Sequence, residues 1–437
     1  MEAKADRTPQ LLLAVLVLIP LFLAGIHILE GGGLTRPVVK TSSMDLAINT
    51  EAAVAAALKA RLRRLPWSPM LSEAEARRGV TYAGSGAPLR RLAAKLLAGQ
   101  AVKLVTIGGS VTQGGGMLGD YLSELFRYIN STFPHGQHEM LNKGMGAWGS
   151  EGFEPCLDRI VPQDADLVVV EFAINDEASE KVSYASPQRR TYEQMLRRML
   201  QRPSQPTLVL LQYYPWMRSF GDGVTQGLYY REPETEMTVL GQYYDLPVVS
   251  VRAATWRLMH AGIDGFKVDK GAHSIGLNWG NKSIIPQADA GEEDKYFYSD
   301  GLHPGPGGAQ VMAELVIHPL AVAVEDLATG VQVEERQAPQ LQGLPPPMIP
   351  NSPNVSSSAC FMLEEFKPLV KQAQGFEYRP ERPARTSVLA QKWGWSGLQP
   401  GEWLQLEFST MLDTASPQRN ATVCECRIAK RVGWDFS

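Results

Sequence analysis

Between residues 101 and 321, short apolar runs alternate with segments of helical spacing. The runs are rich in Val, Leu and Ile and have the length of strands; they are Ala101–Ile107, Asp166–Phe172, Thr207–Tyr213 and Pro247–Val251. Helices are predicted at Leu118–Ile129, Thr191–Gln201 and Gly307–Ala321. Strands that are apolar on both faces are typical of a parallel sheet covered by helices on each side. The sequence therefore predicts an α/β fold, a three-layer α/β/α sandwich around a parallel sheet.

The first 29 residues predict entry into the membrane system. Leu11–Leu29 is apolar over about the length of helix that crosses a bilayer. Lys4 and Arg7 precede this run, but basic residues also follow it, so the charge asymmetry is weak. We predict a transmembrane signal anchor at 11–29, with residues 1–10 in the cytosol and the rest on the lumenal side of the ER or Golgi. The alternative is a signal peptide cleaved near Ala24, which would release a secreted protein.

Glycosylation sequons and cysteines agree with a lumenal body. Asn-x-Ser/Thr triplets predict a glycoprotein with acceptors at Asn130, Asn281, Asn354 and Asn420. The four cysteines are Cys156, Cys360, Cys424 and Cys426. In an oxidising compartment Cys360 could pair with Cys424 or Cys426. Cys424 and Cys426 are poor partners for each other, because they would face opposite sides of a strand.

Composition divides the remaining chain. Residues 30–98 are predicted to form a stem with helical segments, and residues 99–328 the α/β domain. Within that domain, residues 262–299 are predicted to be a long surface insertion beside the site. Residues 329–358 have the Pro- and Ser-rich composition of a linker.

The tail, 359–437, is predicted to form a small β-rich module that is either incomplete or packed on the main domain. It contains four tryptophans, Trp393, Trp395, Trp403 and Trp434. We interpret them as the core of the module, with a sugar-stacking face as the alternative.

Charge and cysteine content exclude several classes of protein. The chain has 42 basic and 46 acidic residues and a net charge of −4, so it lacks the basic surplus of a dedicated nucleic-acid binder. Its cysteines are not spaced as a zinc site. His135 and His138 share a predicted loop, but we assign no metal to them and predict no cofactor.

Three segments carry the residues with the clearest chemistry, where open α/β sheets build their sites. Ser110, in IGGSVT, follows a strand, so its hydroxyl could act as a nucleophile and its N–H as an oxyanion donor. A phosphate-binding loop or a plain turn is the alternative. Asn175, in FAIND, could donate to an oxyanion, although Asn-Asp is also ordinary turn chemistry. In DGLHP, Asp300 is spaced to orient the imidazole of His303.

In this order, IGGSVT, AIND and DGLHP resemble the motif blocks of the SGNH hydrolase superfamily, the GDSL-type esterases and acylesterases. The resemblance covers about residues 100–325. It implies that Ser110 is the nucleophile, His303 the general base and Asp300 the residue that orients it. It also implies an oxyanion hole made by the Ser110 N–H, the Asn175 side chain and one N–H of the loop LNKGMGAWGS.

The chain departs from the family pattern at three positions. Gly109 replaces the family's Asp, and Ala173 replaces its Gly. The third departure is in the loop, where the family's glycine falls on Ala147 and Gly146 lies one residue earlier. Either could supply the third oxyanion donor, and Ala147 could do so without strain if its φ is negative.

With its predicted anchor and Trp-rich tail, the chain is similar to the lumenal or secreted SGNH proteins of eukaryotes that act near complex glycans. The resemblance implies a serine esterase that removes acyl groups, with acetyl expected, from an acylated carbohydrate or lipid. Two alternatives stay open. One is a glycan O-acyltransferase that uses the same serine, and the other is a glycan-binding protein on a hydrolase scaffold that has lost its activity.

Overall fold

The Val-, Leu- and Ile-rich runs form the centre of a mixed sheet of six strands within the described part of the chain. A computed structural model describes residues 56–114, 119–176, 186–216, 233–273, 286–328, 330, 343–350, 352, 360–361, 363–380, 393–397 and 399–407. The strands of the sheet are β1 Val80–Tyr82, β2 Lys103–Gly108, β3 Glu139–Asn142, β4 Leu167–Glu171, β5 Thr207–Gln212 and β6 Val248–Ser250. They lie in the order β1-β6-β5-β4-β2-β3, and only β1 is antiparallel to its neighbour.

Helices cover both faces of the sheet. In chain order they are α1 Glu73–Gly79, α2 Ala87–Leu97, α3 Ser110–Gln113, α4 Tyr121–Thr132, α5 Ser150–Phe153, α6 Leu157–Ile160, α7 Pro187–Leu200, α8 Glu234–Tyr243, α9 Val251–His260 and α10 Pro306–Ala328. Successive strand residues point to opposite faces, so Val169 packs with α1, α2, α4, α9 and α10, whereas Val168 and Val170 pack with α5 to α8. The three-layer α/β/α prediction is therefore confirmed.

Two edge strands were not predicted from the sequence. β1 has only three residues, and β3 (EMLN) exposes three of its four side chains. Neither forms an apolar run, because an edge strand has less to bury than a central one. They are the two outermost strands of the sheet.

The predicted stem is wrong for the part of it that the structure describes. Residues 56–98 belong to the domain: they supply β1 and α2, and Leu62, Leu71 and Leu92 are buried in the core. Arg63 also forms an ion pair with Glu325 of α10, with 2.8 Å between Nε and Oε1. The domain therefore begins well before residue 99.

The predicted surface insertion at 262–299 is also partly wrong. Its described residues include Phe266, Phe297 and Tyr298, which are buried in the same core. Isolated bridges from Lys267 to Tyr296 and from Gly271 to Gln287 hold the two described parts of the segment together. Its Gly, Asn and Asp content indicated a loop, but its aromatic residues anchor it.

The predicted linker is packed against the domain where the structure describes it. Ile349 is buried against α7 and α8. The carboxylate of Glu193, on α7, accepts hydrogen bonds from the N–H groups of Met348 at 2.5 Å and Ile349 at 3.2 Å. Arg197, also on α7, donates to the carbonyl oxygen of Pro345 at 2.5 Å.

The predicted pairing of Cys360 is wrong as well. Cys360 forms a disulfide with Cys156, beside α6, and their Cα atoms are 5.0 Å apart. Cys424 and Cys426 lie outside the described residues. The bond therefore joins the start of the tail to the α/β domain.

The tail contains two small antiparallel sheets, as the β-rich prediction requires. The strands are β7 Val370–Gln374, β8 Glu377–Pro380, β9 Trp393–Ser396 and β10 Trp403–Leu406, and the pairs are β7 with β10 and β8 with β9. Trp393 and Trp395 pack against Tyr378, and the indole N–H of Trp403 donates to Gln374. Trp434 lies outside the described residues.

The predicted membrane span at 11–29 lies outside the described residues. Among the residues that are described, no helix combines the length and the apolar character that a bilayer crossing requires. The membrane prediction therefore stays a prediction.

The disulfide should contribute measurably to stability, because it joins residues 204 positions apart. We expect Cys156→Ser and Cys360→Ser each to lower the free energy of unfolding by about 2–5 kcal/mol. The double variant should lose no more than either single variant, since both remove the same bond. Chemical denaturation of the oxidised proteins measures this. A loss on Cys360→Ser and on Cys424→Ser or Cys426→Ser, with none on Cys156→Ser, would instead support the pairing predicted from sequence.

Candidate active site

Ser110 lies where β2 passes directly into the short helix α3. It is the first residue of α3, and the preceding Gly109 is the N-cap. A first helical residue has no intrahelical acceptor for its N–H. Ser110 is half-buried, and it therefore presents its hydroxyl and its backbone N–H together at the carboxyl end of β2.

His303 reaches Ser110 from the loop that precedes α10. The Nε2 atom of His303 is 2.8 Å from the Oγ atom of Ser110. On the other side of the ring, Nδ1 is 2.8 Å from Oδ2 of Asp300. A carboxylate only accepts hydrogen bonds, so Nδ1 carries the proton and Nε2 can accept one from the serine. The structure thus brings together the three residues that the sequence singles out.

The loop that holds His303 is fixed from within and from β5. Asp300 Oδ1 accepts the N–H groups of Leu302 at 2.7 Å and of His303 at 2.6 Å. The hydroxyl of Tyr213, just after β5, donates to the carbonyl oxygen of Leu302 at 2.6 Å. Both Asp300 and His303 are buried. The imidazole is therefore held in one orientation before any substrate arrives.

Asn175 lies in the turn after β4, with its side-chain amide against Gly109. A Cβ atom at position 109 would be 1.8 Å from the Oδ1 atom of Asn175. Gly108 is equally constrained, because a Cβ there would be 2.3 Å from the carbonyl oxygen of Glu171. Two neighbouring glycines therefore let the turn after β4 approach Ser110. This contact gives a physical reason for the departure at Gly109.

The loop after β3 forms the third side of the site and is tied to α3. The side-chain amide of Asn142 donates to the carbonyl oxygen of Thr112 at 2.8 Å, and its Oδ1 accepts the N–H of Gly144 at 2.9 Å. Met145 N–H donates to the carbonyl oxygen of Gly108, and Trp148 N–H donates to that of Met145. The hydrogen bonds between described residues leave the N–H groups of Gly146 and Ala147 without an acceptor.

Ala147 does not have the negative φ on which strain-free use of its N–H depends. Its φ is +62°, in the left-handed region where a Cβ atom clashes with the backbone. Such a conformation costs about 1–2 kcal/mol and persists where the surroundings enforce it. The alanine therefore occupies the conformation that the family's glycine would adopt more easily. Gly146 is also close, since a Cβ atom on it would be 4.0 Å from the Cβ of Ser110.

A buried carboxyl group contacts α3, the short helix that begins at Ser110. Glu171, the last residue of β4, is fully buried, and its Oε2 accepts a hydrogen bond from Thr112 of α3 at 3.3 Å. Thr112 is also 3.0 Å from the hydroxyl of Tyr121. Burial raises the pKa of Glu171 to about 8, with the nearby Asp176 charge acting in the same direction. Near neutral pH, this carboxyl group is therefore mostly protonated.

Of the two histidines in the predicted loop, His138 has a structural role in the described residues. Nδ1 of His138 accepts the N–H of Val102 at 3.0 Å, and its Nε2 is 2.7 Å from the carbonyl oxygen of Phe133. Both ring nitrogens of His138 are thus occupied. In the described ranges, no cluster of three or more His, Cys, Asp or Glu side chains could hold a metal ion.

Of the sequons, only Asn130 lies within the described residues. It is half-buried in the last turn of α4, and Thr132 of the same triplet is buried. Asn281, Asn354 and Asn420 lie outside the described residues. The glycosylation prediction stays a prediction.

Three residues of the site were not assigned a role from the sequence. Asn142 ties the loop after β3 to α3, and Glu171 lies under that helix. Asp176, next to Asn175, accepts hydrogen bonds from Ser150, the first residue of α5. Its position directly after Asn175 is a sequence signal that could have pointed to Asp176, but an Asn-Asp pair is also ordinary in turns.

Comparison with known proteins supports the fold. The chain matches a two-domain esterase active on acetylated mannans, with 20% identity and a TM-score of 0.51. The match covers 76% of this chain and 75% of the esterase. The same esterase co-crystallised with mannopentaose matches at 19% identity over 76% of this chain and 74% of the other, with a TM-score of 0.50. The chain has the SGNH hydrolase fold.

Sequence comparison adds nothing to this result. No family model and no curated protein sequence matches the chain. The evidence for the SGNH hydrolase fold is therefore the similarity to solved structures and three short motifs.

The buried Glu171 should make stability fall as the pH rises. Its folded-state pKa, about 8, lies above the ordinary 4.5, so the folded protein binds the proton more tightly than the unfolded chain. The stabilisation is complete below about pH 4.5 and is lost as the pH rises through about 8. This stabilisation amounts to a few kcal/mol, since each pH unit between the unfolded-state and folded-state pKa contributes on the order of 1.4 kcal/mol.

Glu171→Gln keeps the shape and removes the titration. We expect its unfolding free energy to fall less than that of the wild type between pH 5 and pH 9, measured by urea denaturation. Burial also raises the pKa values of Asp176 and Glu314. Both carboxyls remain in both proteins, so the difference between the two curves reports Glu171 together with its charge interaction with Asp176. Parallel curves would contradict this assignment.

Proposed function

We propose that the protein is a serine esterase that hydrolyses acyl esters, acetyl esters first, on a glycan or glycolipid. The observation that carries the proposal is the continuous chain of contacts from Ser110 through His303 to Asp300, with 2.8 Å at each step. Nucleophile, base and orienting group are the parts that nucleophilic acyl transfer requires. All three lie at one edge of the sheet.

The mechanism follows from the protonation state of the imidazole. His303 Nε2 takes the proton of the Ser110 hydroxyl as its oxygen attacks the ester carbonyl. Asp300 stabilises the imidazolium ion that forms. The imidazolium then gives its proton to the leaving alcohol, and an acyl-serine remains. Water attacks this ester in the same way, with His303 as the base, and releases the acid.

The negative charge of the tetrahedral intermediate is on the former carbonyl oxygen, so hydrogen-bond donors must face that oxygen. The proposed donors are the N–H of Ser110, the side-chain amide of Asn175 and an N–H of the loop after β3. That loop has two candidates, Gly146 and Ala147, whose N–H groups lack an acceptor among the described residues. Removing one donor of this kind typically lowers the rate about 100- to 1000-fold.

The carbohydrate part of the proposal has two supports. One solved structure with a similar fold is an esterase active on acetylated mannans, and it was co-crystallised with mannopentaose. The sequence independently predicts a chain that enters the secretory pathway, where glycans are exposed. An acetylated polysaccharide is therefore the first substrate to test.

The proposal places the site in the lumen of the secretory pathway or outside the cell. The apolar segment Leu11–Leu29 and the sequons support this location. The bond between Cys156 and Cys360 agrees with it, because disulfides persist in oxidising compartments. Protease protection of the chain in sealed microsomes would test it.

Replacement of the nucleophile is the direct test of activity. We expect Ser110→Ala to lower acetate release from an aryl acetate and from acetylated mannan by at least about 1000-fold. Ser123→Ala is the matched control, because Ser123 lies on α4 and, among the described residues, its side chain bonds locally to Asp120. Equal rates for wild type and Ser110→Ala would overturn the esterase. Acetyl groups found on an acceptor glycan instead of free acetate would contradict hydrolysis.

The contact between Gly109 and Asn175 makes a second, less obvious prediction. Gly109→Asp restores the family's residue, yet its Cβ would collide with the Asn175 amide. We expect this variant and Gly109→Ala to lower kcat about 100-fold by displacing an oxyanion donor. Gly136→Ala is the control, since a Cβ at position 136 meets nothing within 4 Å. Full activity in Gly109→Asp would show that Asn175 tolerates the displacement or has no such role.

A further inference from the structure

Besides the N–H of Ser110 on α3, the proposed oxyanion donors come from two separate irregular segments. One is the loop after β3, which contains Gly146 and Ala147 and ends at Ser150, the first residue of α5. The other is the turn after β4, which contains Asn175 and is closed by hydrogen bonds from Asn175 and Asp176 to the carbonyl oxygen of Phe172. The loop after β3 is tied to β2 by the N–H of Met145 and to α3 by the amide of Asn142, but these contacts do not reach the turn after β4. Something else must keep the two sets of donors aimed at one point.

The carboxylate of Asp176 connects the two segments. Its Oδ1 accepts the N–H of Ser150 at 2.8 Å, and its Oδ2 accepts the hydroxyl of Ser150, also at 2.8 Å. The approach is close along the loop as well, since a Cβ on Gly149 would be 2.9 Å from Asp176 Oδ1. Both Asp176 and Ser150 are buried. Two hydrogen bonds from one serine to one carboxylate leave little freedom for either segment to move alone.

Arg189 holds this carboxylate from behind. The guanidinium of Arg189, on α7, donates to Asp176 Oδ2 at 3.1 Å and to Glu236 of α8 at 2.6 Å. Its side chain is fully buried. Charge-assisted hydrogen bonds in a dry interior are stronger than neutral ones in water. The chain Ser150–Asp176–Arg189–Glu236 thus ties both segments to helices of the outer layer.

We propose that Asp176 is a positioning residue that holds the two halves of the oxyanion hole in register, with Arg189 as its anchor. This inference rests on the proposed function and extends it to residues that do not touch the substrate. Catalytic donors must stay within about 0.5 Å of their productive position. A clamp between the two segments supplies that precision.

The test measures kcat and KM on an aryl acetate, with the thermal unfolding midpoint recorded for each variant. We expect Asp176→Asn to lower kcat about 10- to 100-fold and to change KM by less than about 3-fold, because donors displaced from the oxyanion act in the transition state. Ser150→Ala removes one hydrogen bond without disturbing the ion pair. It should lower kcat about 3- to 10-fold, and it keeps the inference testable if Asp176→Asn does not fold.

A double-variant cycle separates positioning from general structural damage. If Asp176 acts through the oxyanion hole, its loss and the loss of Asn175 share one consequence. Asp176→Asn combined with Asn175→Ala should then retain at least about 10-fold more activity than the product of the two single effects. Multiplicative losses would overturn the inference.

Arg198 provides a matched control for Arg189. It lies on the same helix, is buried, and donates to the carboxylates of Glu154 and Asp158. Lys cannot reproduce the fork of an arginine, so either substitution weakens a buried ion pair. We expect Arg189→Lys to lower kcat about 10-fold and Arg198→Lys to leave it unchanged. Equal kcat losses, or full kcat in folded Asp176→Asn and Ser150→Ala, would overturn the inference.

Ser110→Ala distinguishes a failure of the proposed esterase function from a failure of the positioning role of Asp176. If Ser110→Ala is as active as the wild type, the proposed function fails and the clamp fails with it. If Ser110→Ala is inactive but the clamp variants keep full kcat, only the clamp is wrong.

Discussion

The carboxylate of Asp300 accepts three hydrogen bonds from the short loop in which it lies. Two come from backbone N–H groups and one from the Nδ1 atom of His303. The same group therefore folds the loop and sets the tautomer of the imidazole. Buried carboxylates need such partners, because an unpaired charge in a low-dielectric interior is costly. Everything that the site can do with a serine hydroxyl depends on this one arrangement.

The sheet brings the other parts to the same place. β2, β3 and β4 are parallel and adjacent, so their carboxyl ends meet at one edge. Ser110 follows β2, Asn142 ends β3, and Asn175 follows β4. Glycines at positions 108 and 109 allow the turns to approach more closely than side chains would permit. The strand order and the absence of Cβ atoms at these two glycines together bring the parts of the site into contact.

Much of this could be predicted from local sequence. The central strands are apolar on both faces, and the order of Ser110, Asn175 and Asp300/His303 identifies the motif blocks. Contacts between distant and locally unremarkable residues could not be predicted. β1 and β3 are short edge strands, and the pairing of Cys156 with Cys360 depends on where the tail docks. The positive φ of Ala147 was also missed, because alanine has no sequence signal for a strained backbone.

The docking of residues 343–350 has a consequence for where the folded unit ends. Glu193 is buried in the face covered by α7 and α8, and three of its hydrogen-bond donors are Tyr244, Met348 and Ile349. A fragment truncated after α10 would leave that carboxylate without two of these donors and would open the apolar surface now covered by Ile349. The segment that composition describes as a spacer is thus part of the folded α/β domain. The smallest soluble fragment should extend at least to residue 360.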